Sequence, residues 1–134
     1  MKVSQRLSLL AVALCLLCAG CASLTGTGMN STPGDTLKEF YAALGKGDMA
    51  EANRLVAGAA DGYKQTAALK NSTPQLAEGI KSRGGLKSVD IQSEDGEEQT
   101  AQVTAKVTYN NGTSENVSYE LAQEDRDWKV ARAK

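Results

Sequence analysis

The side chains that most often carry catalysis or bind metals are scarce in this chain. It has no His, and its three cysteines, Cys15, Cys18 and Cys21, all lie near the N terminus. His is the commonest general base, and zinc sites are built mainly from His and Cys. The acidic run 94–98 lacks the alternating spacing of a calcium loop, and no glycine-rich loop follows a strand to open a helix. We therefore expect no metal, no cofactor and no enzymatic activity.

Four aromatic residues could still form a ligand site. Tyr41 and Tyr63 fall in predicted helices, and Tyr119 and Trp128 fall in predicted strands. If they converge, they would line a small apolar pocket in which phenol hydroxyls orient a ligand. A buried phenol usually just bonds a backbone carbonyl, so simple packing is the alternative for each of the tyrosines.

A second constellation is acidic. In an antiparallel meander the first and third turns lie at the same end of the sheet. That end would gather the seven carboxylates of Glu94, Asp95, Glu97, Glu98, Glu124, Asp125 and Asp127. Arg126 is the one base among them, whereas Lys81, Arg83 and Lys87 fall toward the opposite end. The acidic end would dock a basic partner or hold divalent cations weakly. The alternative is a set of solvated turns that charge keeps soluble.

Helices come first in the part of the chain that must position these residues. A Thr32 cap, Pro33 at the first helical position and an acid two residues later predict a helix start. Apolar residues then recur at helical spacing, at Leu37, Phe40, Tyr41 and Leu44. The segment 45–47 ends this helix, and Asp48 caps a second one. A short helix is predicted over 61–70, and another begins at residues 72–75.

After Gly85 the apolar period changes from 3.6 to 2. The apolar strand positions predicted to face inward are Val89, Ile91, Val103, Ala105, Val107, Val117 and Leu121. Asn111-Gly112 and Asp95-Gly96 both predict hairpin turns. Because the other face of each strand is polar, helices should cover only one side. The predicted fold is α+β, with N-terminal helices on one face of a four-stranded antiparallel meander.

The first 20 residues have the pattern of an export signal. Lys2 and Arg6 precede an apolar run over 7–18, which is shorter than the roughly 20 residues that span a bilayer. The run ends in Leu17-Cys18-Ala19-Gly20-Cys21, which resembles the lipobox of bacterial lipoproteins. The resemblance implies cleavage between Gly20 and Cys21 and attachment of acyl chains such as palmitate to Cys21. The alternative is an uncleaved anchor over 7–24.

This leader changes how the composition is interpreted. Removing residues 1–20 lowers the 15 bases to 13 against 16 acids, which shifts the net charge from −1 to −3. Residues 21–32 would be the lipidated Cys and a tether, whose eleven residues after Cys21 span roughly 17–20 Å. The absence of Asp after Cys21 resembles outer-membrane lipoproteins. We expect an envelope protein with a periplasmic domain over 33–134, and the acidic balance excludes a nucleic-acid partner.

The domain also resembles a known family. The similarity lies in Phe40-Tyr41-Ala42, Gly47-Asp48, Gly84-Gly85-Leu86, Asn111-Gly112 and Asp127-Trp128-Lys129-Val130. These motifs are similar to the domain-of-unknown-function family 4878, earlier labelled lumazine-binding-like. The resemblance implies a cystatin-like cone fold of the nuclear-transport-factor-2 type. It does not imply any particular activity.

These observations favour a binding or accessory domain for a small apolar ligand or another envelope protein. Two alternatives stay open. One is a small cone-fold enzyme of isomerase or hydrolase type with a carboxylate base, which the lack of an acid among the inward strand positions disfavours. The other is a purely structural accessory subunit.

Overall fold

In the part of the chain that the structure describes, three helices precede a four-stranded sheet. The computed structural model describes residues 31–58 and 64–134. In chain order the elements are α1 (Pro33–Lys46), α2 (Met49–Arg54), α3 (Lys64–Ser82), β1 (Leu86–Glu97), β2 (Thr100–Tyr109), β3 (Ser114–Glu124) and β4 (Asp127–Ala133). None of the helices within the described ranges is long and apolar enough to cross a membrane.

The start and end of α1 follow from its terminal residues, as predicted. The Thr32 hydroxyl accepts from the Asp35 N–H at 3.1 Å, and the Asp35 carboxylate accepts from the Thr32 N–H at 3.3 Å. This reciprocal capping box satisfies two N–H groups that lack helical partners. At the other end, Gly47 adopts a left-handed conformation with φ of 73°, which only glycine adopts without strain. Asp48 then caps α2 by accepting from the Glu51 N–H.

The prediction of two separate helices over 61–70 and from 72 onward is wrong. Instead, α3 runs through Pro74 without a break. Proline has no N–H, so the Lys70 carbonyl loses its usual helical partner. The Thr73 hydroxyl replaces that partner by donating to the Lys70 carbonyl at 2.9 Å. The Thr73-Pro74 pair predicted a helix start, but it lies inside a helix. There the Thr73 hydroxyl supplies the hydrogen bond that Pro74 cannot donate.

The sheet confirms the predicted fold class. Its strands are antiparallel and in chain order, β1-β2-β3-β4. The helices cover one face, where the core combines α1 with the inward strand positions. The fully buried apolar side chains of this core include Leu37, Phe40, Leu44, Val103, Val107, Leu121 and Val130. A short segment after α2 covers the outer edge of β4, where Ala57 donates to the Val130 carbonyl at 2.8 Å.

One of the two predicted hairpin turns is confirmed and the other is wrong. Asn111 and Gly112 lie in the β2–β3 turn, where Gly112 has φ of 87°. Asp95 and Gly96 instead lie within β1, opposite Gln102 and Ala101, and the chain turns after Glu97. A Cβ added to Gly96 would lie 3.2 Å from the Ala101 Cβ. This glycine therefore permits a close approach between strands rather than a turn.

A β-bulge in β1 changes which acid faces the helices. The pairing with β2 is irregular between Ile91 and Ser93, so the alternation of faces shifts by one residue. Glu94 consequently lies opposite Val103, a core residue, and a Cβ added to Gly34 of α1 would lie 2.8 Å from its Oε2 atom. The expectation that no strand acid faces the helices is therefore wrong at Glu94.

Candidate functional site

Several predicted site residues lie outside the described part of the chain. Gly20 and Cys21, at the predicted cleavage and lipid-attachment point, precede it. Tyr63 of the predicted pocket falls between the two described ranges. The structure therefore bears on the remaining members of the aromatic and acidic constellations.

The structure brings Tyr41 and Tyr119 together in the interior. Their hydroxyl oxygens are 3.1 Å apart, and the two side chains are only 2% and 3% exposed. The rings of Phe40, Tyr41 and Tyr119 meet edge to face, with centroids 5.9 to 6.2 Å apart. Each hydroxyl thus serves as the other's hydrogen-bond partner, which removes the cost of burying a phenol unpaired.

Burial also reinforces the neutral form that both phenols already have at physiological pH. Loss of solvent raises the pKa of the Tyr41 phenol far above its usual range, and the adjacent Tyr119 raises it further. Burial likewise raises the pKa of Tyr119. Because burial disfavours the charged form, both phenols stay neutral at physiological pH. The pair therefore has the properties of a packing element rather than of a proton acceptor.

Trp128 lies away from the two tyrosines. It pairs with Gln123, four positions along β3 from Tyr119. Its ring is half-buried and lines an open surface cavity of about 320 Å³, together with Pro33, Glu94, Glu97 and Glu98. The predicted aromatic pocket thus separates into an interior tyrosine pair and a Trp128 cavity at the acidic end.

The acidic end has the position that the meander predicts. The first and third turns are adjacent, since the Gln123 N–H donates to the Gln99 carbonyl at 2.8 Å. Most of the seven acids are exposed, while Asp127 and Glu124 are half-buried. Glu124 accepts from the Gly58 N–H at 3.1 Å. Within the described ranges, no group of three or more acidic, His or Cys side chains is arranged to hold a metal ion.

The opposite end carries a network that the sequence analysis missed. Arg83, in the turn after α3, lies with its guanidinium 4.6 Å from the centroid of the Tyr109 ring and 3.2 Å from the Glu115 carboxylate. The Tyr109 hydroxyl donates to the same carboxylate. Burial and the neighbouring Glu115 raise the pKa of Tyr109 to about 12. The sequence feature that could have predicted this network is the Asn111-Gly112 hairpin, because it places Glu115 near Tyr109 on one face.

A groove at this end was also missed. It lies between the end of α1, the start of α2 and the second half of α3, with a volume of about 640 Å³. Leu44, Met49 and Ala77 form its apolar part, and Lys46 and Lys81 stand at its rim. Both lysines occupy the last turns of their helices, where a cation favours the helix dipole. Their position therefore has a structural explanation.

The sequence model of the domain-of-unknown-function family DUF4878 matches residues 25–131 of this chain. The chain belongs to the DUF4878 family. The match covers the three helices, β1 to β3, the acidic turns and β4 as far as Ala131. No curated protein matches the chain significantly.

Solved structures with the same fold are similar to this DUF4878 protein. A candidate NTF2-like transpeptidase from Campylobacter jejuni is 24% identical, with a TM-score of 0.61 over 75% of this chain and 97% of that chain. An NTF2-like protein of unknown function from Shewanella oneidensis is 12% identical, with a TM-score of 0.53 over 73% of this chain and 90% of that chain. At these identities the likeness shows an NTF2-like fold.

Proposed function

We propose that this DUF4878 protein is a lipid-anchored component of a bacterial cell envelope, and that its domain binds an envelope partner rather than catalysing a reaction. The observation that carries the anchor is the segment Leu17–Cys21, which follows a basic start and an apolar run of export-signal length. The folded domain begins at Pro33, twelve residues after Cys21. The chain between them is long enough to hold a domain clear of lipid headgroups.

Substitution of Cys21 tests the anchor. We expect Cys21→Ser to abolish acylation and signal cleavage, so that intact mass spectrometry finds an unmodified precursor. Cys18→Ser is the matched control and should still give the acylated mature chain. A Cys21→Ser protein with the same mass shift and membrane partitioning as the wild type would overturn the proposal.

The sorting of the anchored protein is a separate question. In a bacterium with two membranes, the residues after the modified Cys would direct it to the outer membrane, because Ala22 and Ser23 contain no acid. Separation of inner and outer membranes on a density gradient tests this assignment. Recovery of the acylated protein in the inner membrane would contradict the sorting while leaving the anchor intact.

Binding is favoured over catalysis by the chemistry of the interior. The buried phenols of Tyr41 and Tyr119 hydrogen-bond to each other and stay neutral, so neither serves as a base. The main apolar and acidic cavities described above open at the surface, which favours a protein partner over an enclosed small ligand.

A cone-fold enzyme of isomerase or hydrolase type is the second candidate, and one observation favours it. Glu94 faces the helix side of the sheet and lines the Trp128 cavity, where it would serve as the base. Substitution Glu94→Gln keeps the shape and removes the charge. If a hydrolase or isomerase activity is found in the purified protein and is lost in Glu94→Gln, the binding proposal fails.

The acidic end is the surface proposed to meet the partner. Seven carboxylates and the half-buried Trp128 occupy one end of the domain. Charged surfaces of this kind steer a partner of opposite charge and weaken with salt. Crosslinking from intact envelopes with the acylated protein should capture a basic envelope protein. We expect the capture to fall at raised salt and in the variant Glu97→Lys with Glu98→Lys.

The matched control is Glu78→Lys, which changes the charge of an exposed residue on α3 at the other end. It should leave capture unchanged. Capture that is insensitive to salt and to the Glu97 and Glu98 substitutions would exclude the acidic end as the docking surface.

A further inference from the structure

We infer that Asn111 is a site of spontaneous deamidation in the β2–β3 turn, and that the folded turn suppresses this reaction. The turn covers residues 110–113, which are all exposed to water. The inference depends neither on the proposed lipid anchor nor on the acidic end. It concerns a covalent modification, which neither the family nor the similar structures assign.

The pair Asn111-Gly112 has the atoms that the reaction needs. The Gly112 nitrogen attacks the Asn111 Cγ atom, a new C–N bond closes a five-membered succinimide, and the Cγ–Nδ2 bond breaks. The Nδ2 atom leaves as ammonia, which carries away the proton that the Gly112 nitrogen gives up. Water then opens the succinimide to either aspartate or isoaspartate. Because Gly112 has no Cβ, no side chain obstructs the approach of its nitrogen.

Hydrogen bonds within the turn occupy both reacting groups. The Gly112 N–H, whose nitrogen is the nucleophile, donates to the Tyr109 carbonyl at 3.0 Å. The Asn111 Oδ1 atom accepts from the Thr113 N–H at 3.0 Å and from the Thr113 hydroxyl at 2.6 Å. Ring closure has to remove the Gly112 proton from its hydrogen bond and rotate the Asn111 carboxamide away from Thr113. The reaction therefore requires local opening of the turn.

Contacts with a second segment make this opening rarer. The Asn111 N–H donates to the Arg83 carbonyl at 3.0 Å, in the turn after α3. Asn110 contacts the same turn twice, since its N–H donates to the Gly85 carbonyl and its side-chain amide to the Gly84 carbonyl, both at 2.9 Å. Opening of the β2–β3 turn thus breaks bonds to residues distant in the sequence as well as bonds within the hairpin.

The two products should differ in their effect on the fold. Aspartate at position 111 keeps a side-chain oxygen that can accept from Thr113. Isoaspartate instead adds a methylene group to the main chain between residues 111 and 112. The lengthened chain cannot keep both the bond from residue 111 to Arg83 and the bond from Gly112 to Tyr109 in their present geometry. Isoaspartate should therefore loosen the contact between the two turns.

The rate of deamidation in folded and unfolded protein tests the inference. The purified protein is incubated at mildly alkaline pH with and without guanidinium chloride. Trypsin, which cleaves after Lys106 and Arg126, then releases the peptide 107–126 for mass spectrometry with fragmentation. We expect Asn111 to deamidate at least about ten-fold faster in the unfolded protein. Asn116, which Val117 follows in the same peptide, is the internal control and should react slowly in both states.

Thr113→Val tests the hydrogen bonds of the turn in the folded protein. It removes the hydroxyl that donates to Asn111 and should raise the rate of deamidation by about five-fold. Thr108→Val is the matched control in β2 and should leave the rate unchanged. Equal rates in folded and unfolded protein, no reaction at Asn111 in the unfolded protein, or equal rates in the two variants would overturn the inference.

The melting temperature of the product tests its effect on the fold. Protein that has deamidated in guanidinium chloride is refolded beside wild-type protein passed briefly through the same denaturant. We expect the isoaspartate form to melt about 4–8 °C below the wild type, as the loss of one hydrogen bond would give. Asn111→Asp should melt close to the wild type. Equal melting of all three proteins would show that the lengthened turn keeps its contacts, against the inferred difference between the two products.

Discussion

The buried phenols of Tyr41 and Tyr119 show how polar groups can be packed in the hydrophobic core. Each hydroxyl would be costly to bury alone, and each finds its partner in the other at 3.1 Å. Phe40 completes the cluster through edge-to-face contacts with both rings. The cluster joins α1 to β3 across 78 residues of sequence, so it contributes to the tertiary fold rather than to one element.

The two hydroxyls of this pair should stabilise the domain as a coupled unit rather than independently. Tyr41→Phe leaves the Tyr119 hydroxyl buried without its partner, and we expect a loss of about 1–3 kcal/mol in the free energy of unfolding. The double variant with Tyr119→Phe should lose less than the sum of the two single losses. Urea unfolding of the four proteins measures this coupling, and additive losses would show that the two hydroxyls do not stabilise each other.

Tyr109 predicts a dependence of stability on alkaline pH. Its phenol ionises near pH 10 in the unfolded chain and at about 12 in the folded one. Between these values the unfolded state loses the proton first, so the free energy of unfolding falls as pH rises from 10 to 12. Below pH 10 this residue should make no difference to the pH dependence.

Urea unfolding at a series of pH values measures this effect. Tyr109→Phe should make the decline above pH 10 shallower, because one of the raised phenol pKa values is then absent. Absorbance titration of the folded protein should show one tyrosine with a pKa near 12. An unchanged decline in Tyr109→Phe would mean that Tyr109 ionises alike in both states.

At the scale of elements, α3 shows how a helix breaker is accommodated. Pro74 is exposed and removes one backbone donor, and the Thr73 hydroxyl supplies a replacement from a fully buried position. From sequence, Ser72-Thr73-Pro74 has the same residues as a capped helix start. Only the continuation of apolar packing through Leu69, Leu76 and Ile80 makes the segment helical on both sides.

Thr73→Val tests this repair. The change keeps the shape and removes the hydroxyl, so the Lys70 carbonyl loses its partner, and we expect a loss of about 1 kcal/mol in the free energy of unfolding. Ser82→Ala is the control, because Ser82 makes the equivalent bond to the Gly79 carbonyl at an exposed position. It should change stability by less than about 0.5 kcal/mol. Equal losses in thermal or urea unfolding would refute the special role of Thr73.

Strand pairing also has features that local sequence patterns do not predict. The alternation of β2 was predicted correctly, because five apolar residues at every second position leave one register possible. In β1 the bulge between Ile91 and Ser93 moves Glu94 to the helix side, and the turn comes three residues after the Asp95-Gly96 signal suggested. Neither feature has a local signature, because both depend on which residues of β2 lie opposite.

At the scale of the whole molecule, the main asymmetry is electrostatic. The acidic end concentrates like charges that lie far apart in the sequence, and their repulsion opposes folding at low salt. We expect the melting temperature to rise with salt, and to rise at low salt in the variant Glu97→Gln with Glu98→Gln. Calorimetry at low and high salt measures both changes, with Glu78→Gln as the control at the other end. A salt response that is the same in all three proteins would show that this repulsion is negligible.

The sequence by itself determined the α+β meander, the caps of α1 and α2, the position of the acidic end and the family. Helix caps and apolar periodicity are local features of the sequence. The position of the acidic end follows from the order in which the strands are connected. Only the tertiary structure decided that Tyr41 meets Tyr119, that Trp128 lies instead with the acids, and that Glu94 faces the helices. These results depend on a bulge, on strand register and on helix packing, each of which is set by contacts between residues distant in the chain. The proposed export and lipid-attachment signals stand apart, since only the sequence bears on them.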